Sequence, residues 1–190
     1  MNFIGHTHWI DLPCYNGDRV DKEGHPTCYR SNPQQIDAIT IFLAALMEKA
    51  HSSVSVMSML RTHHEVMLRQ LKDAGRLPDA GQLMGVDFCY AGGVCHNADT
   101  LIVLPVIATG TSYEPLINEI RDRSTDLFDE LEQQEFERVI VLGERQAWLS
   151  IGGYFARRLA EIPSTTYPVS ERSYKHDIVE AVETLFGDKR

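Results

Sequence analysis

Two stretches of the chain are apolar almost without a break, Asp99–Ala108 (DTLIVLPVIA) and Arg138–Gly143 (RVIVLG). Short runs so rich in Val, Ile and Leu predict strands buried on both faces of a sheet. Shorter strands are expected at His6–Pro13 (HTHWIDLP), closed by Pro13, at Ser53–Met57 (SVSVM) and at Gln82–Tyr90 (QLMGVDFCY). Helical spacing fills the gaps. Asn32 is a candidate N-cap, Pro33 stands at the first helical position, and Gln35 is placed to close a capping box. Ile36, Ile39, Leu43, Leu46 and Met47 then follow along one face. Thr62 and Glu65 repeat the box pattern and Gly75 ends that helix. Thr111 and Glu114 open the next helix. Another covers Arg145–Ile162, and a last one runs from about Ser173 to Phe186, with Gly187 after it. Residues 14–32, rich in Gly, Asp, Asn and Pro, read as a loop, with or without a hairpin.

The resulting order is strand, helix, strand, helix, two strands, helix, strand, helix. Such alternation predicts one α/β domain over residues 1–190, with a mostly parallel sheet between helical layers. Within it, residues 1–32 hold the first strand and loop. Residues 33–161 hold the α/β core, and 162–190 a C-terminal linker and helix. Ligands in such folds bind beyond the carboxyl ends of the strands. The loops after Met57, Ala108 and Gly143 therefore share an edge, which makes neighbours of Ser58, Arg61, Thr109, Thr111, Glu144 and Arg145. No internal repeat is visible.

Composition adds limits. The chain has 190 residues, with 27 acidic side chains against 18 basic ones and a net charge of −9. That balance opposes nucleic-acid binding by the whole surface, which needs clustered Lys and Arg. Acid is concentrated in Glu114–Glu137, where only Arg121 and Arg123 oppose it; a solvated helix face explains such a run. No apolar run is long enough to cross a bilayer. The start of the chain lacks the basic and apolar regions of a secretory signal, so a cytoplasmic protein is expected. The four cysteines, Cys14, Cys28, Cys89 and Cys95, form no CxxC pair and read as free thiols.

Taken in order, HTHWIDLP, SNPQQIDAITIFLAALM, VSVMSMLRTHHEVMLRQL, ADTLIVLPV and ERVIVLGERQAWLS resemble the second RecA-like domain of superfamily 1 helicases. The branch is the one that includes the nonsense-mediated-decay helicase. Its members carry a WxD strand, an SxxNxxEA helix start, a strand ending in TPYRxQ, then QGxEaDvVIL and TRAkxxLivvGd. The likeness covers Trp9 to Leu159. It implies a RecA-like, P-loop-type three-layer sandwich and contacts to nucleic acid or phosphate from Ser58, Arg61, His63, Asn97, Thr109 and Thr111.

The departures bear on activity. Ser58 and Arg61 match the Thr and Arg of TPYRxQ, but His63 replaces its Gln. In QGxEaD only Ala98 and Asp99 survive; Val94, Cys95 and Asn97 stand at the Gln, Gly and Glu. Gln134, followed by Glu135, falls where the family has the arginine that reaches the γ-phosphate. An amide cannot stabilise charge developing there as a guanidinium does. No GxxxxGK[ST] loop is present. The resemblance thus implies no ATPase activity for the isolated chain and no cofactor of its own. ATP and Mg belong only to a complete helicase. The chain is then a domain of a nucleic-acid-dependent ATPase, or a degenerate relative without catalysis. Its partners would be single-stranded nucleic acid, a first RecA-like domain, or a partner protein, with no membrane. The alternative is a protein-interaction or scaffold module that kept only the α/β fold.

The residues offer ligands or nucleophiles for three other chemistries. His6, His8, Cys14, His25 and Cys28 carry zinc-type ligands, but without a recognised spacing. His6 and His8 alternate along a strand and share a face with or without a metal. Cys95 beside His96 suggests a nucleophile, yet adjacent residues rarely meet as nucleophile and base. The histidines of HTH and of HSS, at His51, do not fall on facing strands as two-histidine phosphodiesterases need. At the turn after Met57, Thr62 reads as the cap, with His64 and Glu65 in the first helical turn. Arg61 is either a phosphate contact or a surface cation paired with a nearby carboxylate.

Overall fold

A computed structural model describes residues 6–13, 32–49, 53–75, 85–93, 98–108, 111, 114–134, 136–150, 158 and 161–187. In chain order the elements are β1 (Thr7–Asp11), α1 (Pro33–Leu46), β2 (Val54–Ser58), α2 (Arg61–Asp73), β3 (Val86–Tyr90), β4 (Thr100–Leu104), α3 (Glu114–Gln133), β5 (Arg138–Gly143), α4 (Arg145–Ser150), β6 (Ser164–Pro168) and α5 (Tyr174–Phe186).

The sheet has six strands in the order β3-β2-β4-β5-β1-β6, and every neighbouring pair is parallel. The two apolar runs form β4 and β5 at its centre. All five residues of β4 are buried, as their composition requires. Side chains alternate between the faces, which splits the core in two. Ile10, Val56, Ile102 and Ile140 pack under α1, α2 and α5. Trp9, Met57, Val103 and Val141 pack under α3 and α4. The molecule is therefore a three-layer α/β sandwich.

This layering locates the binding edge. β1 and β2 feed helices on one face, whereas β4 and β5 feed helices on the other. Adjacent strands send their chains apart at β2/β4 and at β5/β1. Such reversals open crevices at the carboxyl edge of a parallel sheet.

Several local expectations need correction. The segment read as a C-terminal linker contains β6, which pairs with β1 from Thr7↔Ser164 to Asp11↔Pro168. Met47 is not part of the buried face of α1; it is the C-cap and 57% exposed. Asn32 caps α1 as expected, accepting the Gln35 N–H at 3.2 Å, but the Gln35 side chain does not close a box. It reaches instead to the loop after β4. Thr62 is not the cap of α2, which starts at Arg61 after an N-cap at Leu60. Glu65 turns to Arg61. Gly75 does end that helix, at φ 67°, a conformation strained for any residue with a Cβ. Cys89 is disulfide-bonded, not a free thiol; Cys14, Cys28 and Cys95 lie outside the described residues, as does the loop of residues 14–31.

Candidate functional site

The β2/β4 crevice is built on a buried polar network. Ser58 ends β2 and His63 lies in the first turn of α2; neither has any exposed surface. The Ser58 Oγ and His63 Nδ1 are 2.8 Å apart, and His63 Nε2 is 3.4 Å from the Asn32 carbonyl. A carbonyl only accepts, so the Asn32 contact favours the proton on Nε2; the one Ser58 hydroxyl proton is then shared between Nδ1 and the Leu60 carbonyl, 3.0 Å from Ser58 Oγ. The Leu60 N–H in turn donates to Ser58 Oγ at 3.3 Å, which fixes the entry to α2 without a capping side chain of its own. Burial pushes the His63 pKa down to about 4, against the opposing effect of the Asn32 hydrogen bond. His63 is thus a neutral fastener between α1 and the β2–α2 turn. Ser58 and His63 were expected to contact a ligand; both are enclosed and engaged with the protein itself.

The opposite wall is the loop after β4. Val106 has φ 68°, a rare conformation for a β-branched residue. Side chains from the start of α1 hold it there. The Val106 N–H donates to Gln35 Oε1 at 2.9 Å, and its carbonyl accepts from Asn32 Nδ2 at 3.1 Å. Gln35 Nε2 also donates to the Ile107 carbonyl at 3.5 Å. Gly143 makes room for this clamp: a Cβ there would lie 3.0 Å from the Pro105 ring and 3.1 Å from Gln35 Nε2. Beyond it, the Thr111 hydroxyl donates to the Ala108 carbonyl at 2.7 Å and closes a turn. Thr109 and Asn97 lie outside the described residues.

Arg61 has a different setting. Its side chain is 70% exposed and pairs with Glu65 at 2.9 Å, as the plain surface reading expects. Its guanidinium also lies over the Tyr90 ring, 5.9 Å from the centroid, at the carboxyl end of β3. The His64 ring meets the same tyrosine edge-on at 5.7 Å. Burial lowers the His64 pKa, partly countered by a hydrogen bond to the backbone of Cys89. Arg61, His64 and Tyr90 form a half-open cluster of one cation and two rings. The part of Tyr90 and His64 in it was not read from the sequence. The signal available was the position of Tyr90 at the carboxyl end of a strand beside β2.

At the β5/β1 crevice Asp11 Oδ1 accepts the Arg145 N–H at 2.8 Å, which ties the end of β1 to the start of α4. Arg145 lies over the Trp9 ring at 5.8 Å, and Glu144 is buried. Glu144 and Arg145 thus join the carboxyl edge, but at the β5/β1 crevice, whereas Arg61 lies on the β3 side of β2. Gln134 lies between α3 and β5, at the amino end of β5, and so on the edge opposite both crevices.

Among the described residues, no group of three or more His, Cys, Asp and Glu side chains could hold a metal ion. His25 and His51 lie outside them. No described helix is long and apolar enough to cross a membrane. No protein-family model matches the chain, and no curated protein matches it with significant similarity.

Proposed function

We propose that the chain is a RecA-like domain of the superfamily 1 helicase type that offers one edge to single-stranded nucleic acid and does not hydrolyse ATP by itself. The observation that carries this reading is Arg61. It is exposed at the carboxyl edge of the sheet, on the β3 side of β2, beside the rings of Tyr90 and His64. Guanidinium groups bind phosphates, and aromatic rings stack on bases irrespective of sequence. The Ser58–His63–Asn32 network beneath gives the arginine a rigid base. The absence of a GxxxxGK[ST] loop from the sequence supports the lack of ATPase activity.

Fluorescence anisotropy with a single-stranded oligonucleotide tests the reading. Binding should weaken as salt rises, and Arg61→Ala should reduce the slope of log K against log salt by about one. Binding that ignores both salt and Arg61 would refute it. A steady-state assay with and without the oligonucleotide should show no ATP turnover.

One observation favours a protein-interaction module instead. Arg61 is already paired with Glu65 in a chain of net charge −9, so nucleic acid must compete with a local carboxylate. A stable protein partner lost on Arg61→Ala, with no oligonucleotide binding, would select that reading.

A further inference from the structure

The amino edge of the sheet carries a cationic and hydroxyl-rich cluster that the carboxyl-edge reading does not use. His6 and His8 flank Thr7 on β1 and so project on the sheet face covered by α1 and α5. Their rings are in edge contact, with centroids 5.0 Å apart. Thr165, the β6 partner of His8 in the sheet register, places its Oγ1 2.8 Å from His6 Nε2. Tyr167, two residues on, has its ring 6.1 Å from that of His8. Arg138 opens β5 one residue before Val139, the register partner of Thr7. Its charge reaches both His8 and Tyr167: it adds to the burial and the His6 charge that lower the His8 pKa, and partly opposes the burial that raises that of Tyr167.

Two features coincide in the cluster, though each recurs singly elsewhere: Arg145 also lies over a ring without an ion pair among the described residues, and His64 Nδ1 is also buried without a partner. First, Arg138 makes no ion pair among the described residues; its guanidinium rests only on the Phe186 ring, 4.9 Å from the centroid. Arg61, Arg123 and Arg158 each pair with a carboxylate three or four residues along their own helices. Second, His8 Nδ1 is buried with no hydrogen-bond partner. Two nearby acids are occupied elsewhere. Asp99 accepts from Ser53 at 3.2 Å, and Glu183 on α5 pairs with Lys49 at 3.8 Å. The effects on His8, in order of size, are burial, His6 and Arg138, with no carboxylate among them.

We propose that His6, His8, Arg138, Thr165 and Tyr167 form a binding site for a phosphate-type oxyanion, either free phosphate or the terminal phosphate of a small monoester. Guanidinium, imidazole N–H and hydroxyl groups are all donors, and charge-assisted bonds to an anion are the strong ones. A metal cation is disfavoured by the Arg138 charge, which has no ion pair among the described residues, and by the absence of a carboxylate from the cluster's described members. His6 and Thr165 are exposed, so a monoester can leave its organic part in solvent. The site is on the edge opposite Arg61 and stands or falls independently of the proposed function.

The test uses the full chain labelled at histidine nitrogen and observed by NMR near pH 6.5, at constant ionic strength. Inorganic phosphate should shift the His6 and His8 signals saturably and raise the His8 pKa, whereas chloride should not. Arg138→Gln should weaken binding about tenfold, and Arg138→Lys should recover part of the loss. Glycerol phosphate binding as tightly as phosphate would assign the site to terminal phosphates; weaker binding would assign it to the free ion. If Arg138→Gln does not fold, His8→Gln gives the same readout through His6. Shifts that follow ionic strength alone, or that persist unchanged in the variant, would overturn the proposal.

Discussion

Two histidines at opposite edges of the sheet, His63 and His8, are treated in opposite ways. At the carboxyl edge His63 is fully enclosed, and each ring nitrogen faces a partner, Ser58 on one side and Asn32 on the other. At the amino edge His8 is half-buried, and its Nδ1 has no partner. Burial is the leading cause of a lowered pKa for both. The same desolvation therefore accompanies two roles: one imidazole joins elements of the fold, while the other keeps hydrogen-bonding capacity in reserve. A polar group whose bonds are complete supports a site, whereas one with an open valence is a candidate to bind something.

The largest effect should come from breaking the carboxyl-edge network where it meets the strained loop. Gln35→Leu preserves side-chain bulk but strips the Val106 N–H and the Ile107 carbonyl of their amide partner, in a loop with no exposed residue. Leaving buried backbone groups unsatisfied costs about 1–3 kcal/mol each, so a loss of about 4 kcal/mol is expected. Urea unfolding measures it. A loss below about 1 kcal/mol would mean that Val106 holds its conformation without the clamp.

Acid should act next. An unfolded histidine titrates near 6.5, whereas His63 in the fold titrates near 4. Between those values the unfolded chain binds a proton that the folded chain does not. Stability is thus complete above about pH 6.5 and falls as the pH drops towards 4, by about 3 kcal/mol at 1.36 kcal/mol per pH unit. His8 adds a smaller contribution of the same sign, reduced by its exposure. Unfolding free energies across this range should lose most of their slope in His63→Asn. A slope that survives would place the acid sensitivity elsewhere.

Replacing each histidine by leucine sharpens the contrast. His63→Leu removes partners from Ser58 and Asn32 and should cost about 2 kcal/mol. His8→Leu removes a buried nitrogen that bonds nothing, so it should be neutral or stabilising by up to about 1 kcal/mol. Thermal denaturation of the pair decides the matter. Equal losses would show that His63 and His8 do not differ as described.

How much of this the sequence showed depends on how local each feature is. The central strands were legible because a run such as TLIVL is apolar at every position, and only a strand covered on both faces needs that. The Asn32 cap was legible because its partner is three residues away. Gln35 was misread for the converse reason: its partner, Val106, lies 71 residues away, and a box residue and a loop clamp look alike in sequence. β6 was missed because an edge strand of Ser, Thr and Tyr, most of it exposed, lacks the apolar signature of its neighbours. Of the proposed contact residues among the described ones, Ser58, Arg61, His63 and Thr111, Arg61 alone stands exposed with rings beside it. Ser58 and His63 do lie at the carboxyl edge, but sequence position does not distinguish a side chain that faces a crevice from one that braces it.

The smallest effect expected is that of Arg61→Ala on stability. The guanidinium is solvent-exposed, its bond to Glu65 joins residues one helical turn apart, and Tyr90 is 5.9 Å from it. Exposed pairs of this kind are screened by salt and weakened by the entropy of holding two long side chains. The urea midpoint should therefore stay within error of the parent protein, with or without added salt, even where oligonucleotide binding is lost. That separation matters because Gln35 and His63 act in the reverse sense: their loss should lower stability first and affect binding only through it. A clear fall in the midpoint for Arg61→Ala would mean that the arginine holds the end of β3 in place. Its position beside Tyr90 would then reflect packing, and the contrast between a supporting network and a binding residue would collapse at the point where the proposed function depends on it.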